Sequence, residues 1–95
     1  MANQIFRKLI EVEIRLGFLS IPTKSIELMP SENTKIEVLL NDHEEKLSYN
    51  PDHRRIFGLT SWLREHNAEV GDLVIVTKKD NKYIFTIKKQ ETNNI

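Results

Sequence analysis

The chain has 95 residues and no cysteine, and its 14 basic residues balance its 14 acidic residues, so the formal net charge is zero. This length suits one domain near the lower limit for building a core without disulfides or metals. The lack of cysteine excludes disulfides and thiolate metal sites. A neutral chain counts mildly against nucleic acid as a partner, so a case for nucleic-acid binding must rest on where the charges lie.

No apolar run approaches the length of a membrane-spanning helix, and the N-terminus lacks the apolar core of a signal peptide. The sequence therefore predicts a soluble intracellular protein, in the cytoplasm of a prokaryote or the nucleus of a eukaryote. The three histidines, His43, His53 and His66, are not spaced as neighbours on one helical turn, and no carboxylate cluster frames them. We expect neither a metal site nor a cofactor.

The N-terminal part carries two apolar patterns separated by a glycine. Residues 1–9 are predicted to fray as a domain edge. Residues 10–16 alternate apolar and polar side chains with the period of two that is typical of a half-buried strand. Gly17 interrupts the alternation, and residues 18–21 resume as a second strand. That strand ends at Pro22, because proline cannot donate a hydrogen bond to a sheet.

The middle of the chain predicts one short helix and two strands. Residues 24–29 have room for about two helical turns before Pro30 stops them. Alternation returns over residues 36–40, and an Asn-Asp pair at 41–42 predicts a turn into a further strand at 47–49.

The C-terminal half repeats this alternation of strand and helix. Residues 55–58 predict a short strand, and residues 60–66 predict a helix with one apolar face. A nearly continuous apolar strand follows at 73–77. An Asp-Asn pair at 80–81 turns the chain into the last predicted strand at 83–87.

Seven short strands and two short helices favour a mainly-β fold. We predict a seven-stranded open β-barrel, or pseudobarrel, because near-closure of the sheet removes exposed strand edges. The whole chain, 1–95, is predicted to form a single domain with an ordered core over about 6–89. The tail at 90–95 is predicted to fray.

Three landmarks occur in a fixed order within this pattern. They are GFLSIP at 17–22 with LMP at 28–30, GLTSWL at 58–63, and VGDLV at 70–74. Together, over roughly residues 10–88, they resemble the B-three domain, a DNA-binding pseudobarrel of plant transcription factors and of the effector domains of some restriction endonucleases. The resemblance implies sequence-selective binding of double-stranded DNA, as a recognition module of a restriction or transcription-regulating system.

In the family that this chain resembles, two loops grip the major groove like the jaws of a wrench. The resemblance places the N-terminal jaw at residues 15–24 and the C-terminal jaw at residues 50–55. Under this interpretation a cleavage activity would belong to another domain or to a partner chain. Fold resemblance alone does not establish function, so the residues themselves must support the chemistry.

The C-terminal jaw is the most informative segment. Arginine offers a planar fork that matches guanine O6 and N7, asparagine pairs with adenine N6 and N7, and aspartate or histidine also reaches base edges. The candidates are Asn50, Asp52, His53, Arg54 and Arg55. The alternative is that Asp52 caps a turn while the other side chains are solvated surface groups. Which of the two arginines is the better base reader is left open by the sequence.

The N-terminal jaw offers groups that usually contact phosphates. Its candidates are Arg15, Ser20, Thr23 and Lys24. Thr23 has a second interpretation as the start of the short helix. The segment also departs from the family pattern, because the predicted loop is very short and apolar residues stand where a polar loop is expected.

Two other charged segments bear on this hypothesis. The acidic run at 42–45 should lie away from DNA, since phosphates would repel it. The lysines at 78–89 are more typical of a solvated sheet edge that resists aggregation. The aromatic residues Phe57, Trp62, Tyr83 and Phe85 are predicted to be core, and Phe18 is ambiguous.

An enzyme is the weakest interpretation, because the sequence has no cysteine nucleophile, glycine-rich phosphate loop, paired metal motif or Gly-x-Ser-x-Gly elbow. Two alternatives to a B-three-type module stay open. One is a dimeric DNA-binding barrel of the antitoxin or transition-state-regulator type, which shares the Ile-Pro strand end and the Gly-Asp turn. The other is a protein-interaction or regulatory barrel without a nucleic-acid role.

Overall fold

The computed structural model describes residues 3–90, and the residues 91–95 of the predicted frayed tail lie outside that range. One seven-stranded sheet, nearly closed into a barrel, forms the domain. Its strands are β1 (Gln4–Lys8), β2 (Phe18–Ser20), β3 (Thr34–Leu40), β4 (His43–Asn50), β5 (Arg55–Phe57), β6 (Leu73–Lys79) and β7 (Lys82–Lys88). The helices are α1 (Glu11–Leu16), α2 (Thr60–Glu65) and a 3-10 helix, Thr23–Leu28. The predicted mainly-β, seven-stranded open barrel is confirmed.

The strands follow the order β1-β6-β7-β3-β4-β5-β2 around the barrel. All neighbouring pairs are antiparallel except β3 and β7, which run parallel. Strands with strict alternation place every second side chain in the interior. The fully buried centre of the core includes Ile5, Leu19, Val38, Tyr49, Ile56, Val74 and Val76. Among residues 3–90, no helix has the length and apolar character needed to cross a membrane.

The prediction of a strand over residues 10–16 is wrong, because this segment forms α1. A strand with this alternation would bury its apolar side chains. Instead, Ile10 and Leu16 are 45% and 61% exposed, and the Glu13 side chain is fully buried. Glu13 Oε1 accepts a hydrogen bond from the Ile10 N–H at 2.9 Å, which caps the first turn. The helix ends at Gly17, whose left-handed backbone, at φ 76°, favours glycine.

The prediction that residues 1–9 fray is also wrong over the described part. Residues Gln4–Lys8 form β1, which pairs along its whole length with β6. Ile5 is buried in the core, and the Leu9 N–H donates to the Asp72 carbonyl at 2.9 Å. The count of seven strands was therefore correct although one predicted strand is a helix and one observed strand was not predicted.

The start of the predicted frayed tail is tied to the barrel. The Gln90 N–H donates to Asp72 Oδ1 at 2.8 Å, and Lys89 Nζ lies 2.6 Å from Asp72 Oδ2. Asp72 is fully buried, and its Oδ2 also accepts the Glu69 N–H. One carboxylate thus joins the turn before β6 to the segment after β7.

The junction between α1 and α2 sets the entry of β2 into the barrel. A Cβ atom on Gly17 would collide with the Thr60 hydroxyl and lie 2.9 Å from the Thr60 backbone nitrogen. The Gly17 carbonyl accepts the Leu59 N–H at 2.9 Å. Glycine therefore lets the end of α1 approach the start of α2 closely, and β2 leaves this contact beside β5.

Candidate nucleic-acid interface

The predicted jaw residues meet on three adjacent strands. In the register of the sheet, Ser20 on β2 faces Arg55 on β5, and Arg55 in turn faces Asn50 on β4. Leu19 and Ile56 point into the core, so their neighbours in sequence point outward. The outer face of β4, β5 and β2 thus carries Asn50, Arg55 and Ser20 in one row, and we call it the β2–β5 face.

Phe18 lies on the same face and is covered by an arginine. Its side chain is only 2% exposed, although Phe18 does not belong to the buried core cluster. The Arg55 guanidinium carbon lies 4.5 Å from the centroid of the Phe18 ring, a cation–π distance. The Phe57 ring supports Phe18 from the neighbouring strand, with the two centroids 5.9 Å apart.

Asn50 folds the loop at residues 50–55. Its Oδ1 accepts hydrogen bonds from the Asp52 N–H at 2.9 Å and the His53 N–H at 3.3 Å. An asparagine side chain often closes a turn in this way. The turn predicted as the alternative for this segment thus exists, with Asn50 rather than Asp52 as its acceptor. While Oδ1 is engaged, Asn50 positions the loop, and Asp52 and His53 stand exposed at its tip.

Arg54 occupies an unusual backbone conformation. Of the five non-glycine residues with positive φ in the described chain, four are Asn or Asp, which tolerate this region, and the fifth is Arg54 at φ 55°. Its carbonyl accepts the Ile21 N–H at 2.8 Å, which holds the loop against the end of β2. Backbone strain of this kind costs about 1 kcal/mol or more and concentrates at functional sites.

The two predicted jaws contact each other through side chains. Arg54 Nη1 donates to Thr23 Oγ1 at 3.1 Å. Thr23 begins the 3-10 helix, as its alternative interpretation had it, and its exposed hydroxyl also faces the loop. Lys24 follows directly and is exposed. Eight of the nine predicted residues therefore lie on or beside one surface.

Arg15 is the ninth, and it lies apart from that surface. It is exposed in α1, before β2 begins, whereas Ser20 stands where β2 ends. Among the described residues, no hydrogen bond or ion pair joins Arg15 to the other candidates. The β2–β5 face thus has its polar residues concentrated at one end, and Arg15 stands beyond the other.

A buried carboxylate that the sequence did not single out anchors this region. Glu13 Oε2 accepts the Ser20 N–H at 2.8 Å and the Arg7 Nε–H at 3.0 Å. These bonds fix the end of β2 relative to α1 and β1. Because Ile10 cannot cap a helix with its side chain, the sequence showed no complete capping box, and the alternation of apolar residues indicated a strand instead.

Beneath the loop lies the fully buried Tyr49 side chain. Burial raises the pKa of the Tyr49 hydroxyl, and the nearby positive charge of Arg54 opposes that shift only in part. The phenol therefore stays neutral at physiological pH. It does not cancel the charge that Arg54 presents to the surface.

The acidic run at 42–45 lies at the far end of β4 from the loop at 50–55. β4 has eight residues, so the two ends are about 24 Å apart along an extended strand. The Debye length at physiological salt is about 8 Å, so the acidic end exerts little repulsion at the loop. Glu44 is in addition paired with Lys82 Nζ at 2.7 Å.

Within residues 3–90, no three histidine, aspartate or glutamate side chains lie together in a way that could hold a metal ion. A scan against protein-family models matches no family, and a search of curated proteins finds no match for this chain. The functional argument therefore rests on the geometry of the β2–β5 face and its loop.

Proposed function

We propose that this chain is a B-three-type domain that binds double-stranded DNA sequence-selectively, as the recognition module of a restriction or regulatory system. The observation that carries the proposal is the contact between the two predicted jaws. Residues far apart in sequence, Thr23 and Arg54, are hydrogen-bonded, and Ser20, Arg55 and Asn50 form one row. This arrangement brings the candidate residues of both predicted jaws to one surface.

The residues of this surface divide by the contacts that their chemistry favours. Lys24, Thr23 and Ser20 carry ammonium and hydroxyl groups, which suit phosphate oxygens and set the register of a protein on the duplex. Arg55, His53 and Asp52 carry groups that read base edges in the major groove, and the Arg54 guanidinium suits either a base edge or a phosphate. Asn50 shapes the loop that presents them.

The charge distribution favours an anionic partner at this end of the barrel. Because β4 runs antiparallel to β3, and β3 runs parallel to β7, the end of β4 and the start of β7 lie at the same end. The lysine-rich hairpin between β6 and β7 therefore stands at the same end as the loop at 50–55. Lys78 and Lys79 add positive charge at that end, whereas Lys82 is already paired with Glu44.

The dimeric antitoxin or transition-state-regulator type is less favoured. In that class two short chains interlock, whereas here one chain supplies all seven strands of the barrel. A protein-interaction barrel without a nucleic-acid role would be favoured if this surface lacked grouped basic side chains. The grouping of Lys24, Arg54 and Arg55 on one face argues against it.

The first test measures affinity for duplex DNA at several salt concentrations, with a duplex selected from a random pool and an unrelated duplex. Wild type is expected to lose affinity as salt rises, with a slope of log K against log salt of about −2 to −3, because two or three phosphates are neutralised. Arg54→Ala and Arg55→Ala are each expected to weaken binding about 5- to 50-fold.

Arg64→Ala is the matched control, since Arg64 is an exposed arginine on α2 outside the proposed surface. It is expected to bind as wild type does. The proposed function would be overturned by a lack of binding at low salt or by an affinity that does not change with salt concentration. An equal loss of affinity in all three variants would also overturn it.

A further inference from the structure

We infer that Phe18 is a positioning residue that holds Arg55 as the base-reading arginine of this surface, and that the pair selects duplexes with a guanine at one position. This inference rests on the proposed function and extends it to the roles of the two arginines. It assigns Arg54 to the backbone of the duplex. It also assigns a role to Phe18, which sequence reasoning left ambiguous.

The packing around Phe18 distinguishes it from an ordinary core residue. It points away from the interior that Leu19 and Ile56 fill, yet it is almost completely buried. Arg55, itself half-buried, covers the ring at 4.5 Å, and Phe57 supports its side. The Arg55 side chain thus packs against the face of the Phe18 ring.

The Arg55 guanidinium packs over the Phe18 ring, and its N–H donors are not engaged by other described residues. Among residues 3–90, no hydrogen bond or ion pair uses its N–H groups, although its partners in the sheet, Ser20 and Asn50, flank it on both sides. A guanidinium that stacks on an aromatic ring keeps the N–H donors at its edge free. Arg55 can therefore offer two parallel donors without first losing a partner, and its restricted side chain loses less entropy on binding.

Arg54 is arranged in the opposite way. Its Nη1 is bound to Thr23, and its backbone is tied to Ile21. It stands next to the exposed Lys24 region, where hydroxyl and ammonium groups suit phosphates. A side chain with one donor already engaged suits a phosphate, which accepts hydrogen bonds from many directions, better than the paired acceptors of a base.

Guanine is the base whose major-groove edge matches a free arginine fork. Its O6 and N7 are two adjacent acceptors, and no other base presents two acceptors in that position. Loss of N7 should therefore weaken the contact with Arg55 specifically. Loss of the Phe18 ring should weaken the same contact by leaving the arginine unrestrained.

The first stage of the test needs no DNA. In the wild-type protein the side-chain proton resonances of Arg55 are expected to shift upfield, because they lie over the Phe18 ring. Phe18→Leu should abolish that shift, and Phe6→Leu, the same substitution at an exposed phenylalanine of β1, should retain it. Thermal unfolding of both variants checks that the barrel is intact. An Arg55 signal unaffected by Phe18→Leu would overturn the inference.

The second stage compares a selected duplex with the same duplex carrying 7-deazaguanine at each guanine in turn. At one position wild type is expected to prefer guanine about 10-fold. Phe18→Leu and Arg55→Lys should reduce that preference to about 3-fold or less, while Phe6→Leu and Arg54→Lys keep it near wild type.

The outcomes separate the two proposals. Failure of wild type to bind any duplex overturns the proposed function, whatever the first stage gives. Salt-dependent binding with a guanine preference that Phe18→Leu leaves unchanged overturns the inference alone. A Phe18→Leu variant that binds both duplexes more weakly by the same factor also overturns it, because that pattern indicates a purely structural role.

Discussion

Glu13→Ala is expected to lower the free energy of unfolding by about 4 kcal/mol, because it removes a buried carboxylate that accepts three hydrogen bonds. The Ile10 and Ser20 N–H groups would lose their acceptor, and Arg7 would lose its partner. For a domain of this size the loss corresponds to a fall of roughly 20 °C in the unfolding midpoint. Urea denaturation followed by the fluorescence of the buried Trp62 measures it.

Glu11→Ala is the matched control for that prediction. Glu11 begins the same helix and carries the same charge, but its side chain is exposed. Its replacement is expected to change stability by no more than about 0.5 kcal/mol. Similar losses from the two substitutions would mean that the net charge of α1, and not the buried Glu13 network, stabilises the junction with β2.

Asp72→Asn is expected to cost about 3 kcal/mol of stability at neutral pH, since the buried Oδ2 accepts from both Lys89 Nζ and the Glu69 N–H. An amide nitrogen at that place would face two donors. Thermal unfolding monitored by circular dichroism gives the difference. Glu69→Gln is the control, because its carboxylate is 3.8 Å from Lys89 but 78% exposed, and it should cost less than about 1 kcal/mol.

The pH dependence of Asp72 follows from its hydrogen bonds. Burial alone would raise the pKa of this carboxyl, but the bonds from Lys89, Gln90 and Glu69 together lower it below the ordinary 3.8. The folded state therefore binds its proton less readily than the unfolded state. The stability advantage over Asp72→Asn is complete above about pH 4 and shrinks as pH falls through the lowered pKa. An advantage that grows towards acid would contradict this account.

Strand periodicity predicted most of the barrel because each of these strands buries one face. Buried positions alternate along β3, β6 and β7, and the strand boundaries lie within a few residues of the predicted ones. The same rule failed at residues 10–16, where apolar alternation coincides with a helix. Its decisive residue is a buried glutamate, and periodicity treats any charged side chain as exposed. Only the partners of Glu13, which come from β1 and β2, make its burial favourable.

The first strand was not predicted because its stability comes from a distant partner. Residues Gln4–Lys8 carry one buried apolar side chain, Ile5, and an exposed Phe6. That pattern is too short to be distinguished from a frayed terminus. Pairing with β6, about 70 residues later in the chain, supplies the hydrogen bonds that order it.

The candidate surface was predicted in composition but not in arrangement. The polar loop at 50–55 stood out because its residue types match base edges. The hydrogen bond from Arg54 to Thr23 and the stack of Arg55 on Phe18 depend on the register of β2 with β5. Neither register nor a positive φ at an arginine is visible in local sequence. Local sequence also gave no sign that residues 11–16 form α1. The sequence therefore grouped Arg15, which lies on that helix, with residues of the β2–β5 face.

The central claim is that duplex DNA binds at the β2–β5 face and its loop, and amide chemical-shift mapping tests it most directly. Titration of labelled protein with a selected duplex is expected to shift the amides of residues 18–24 and 50–55 most strongly. The acidic turn at 42–45 and the exposed side of α2 should be nearly unaffected. Largest shifts at the acidic turn, or equal small shifts over the whole barrel, would contradict the account.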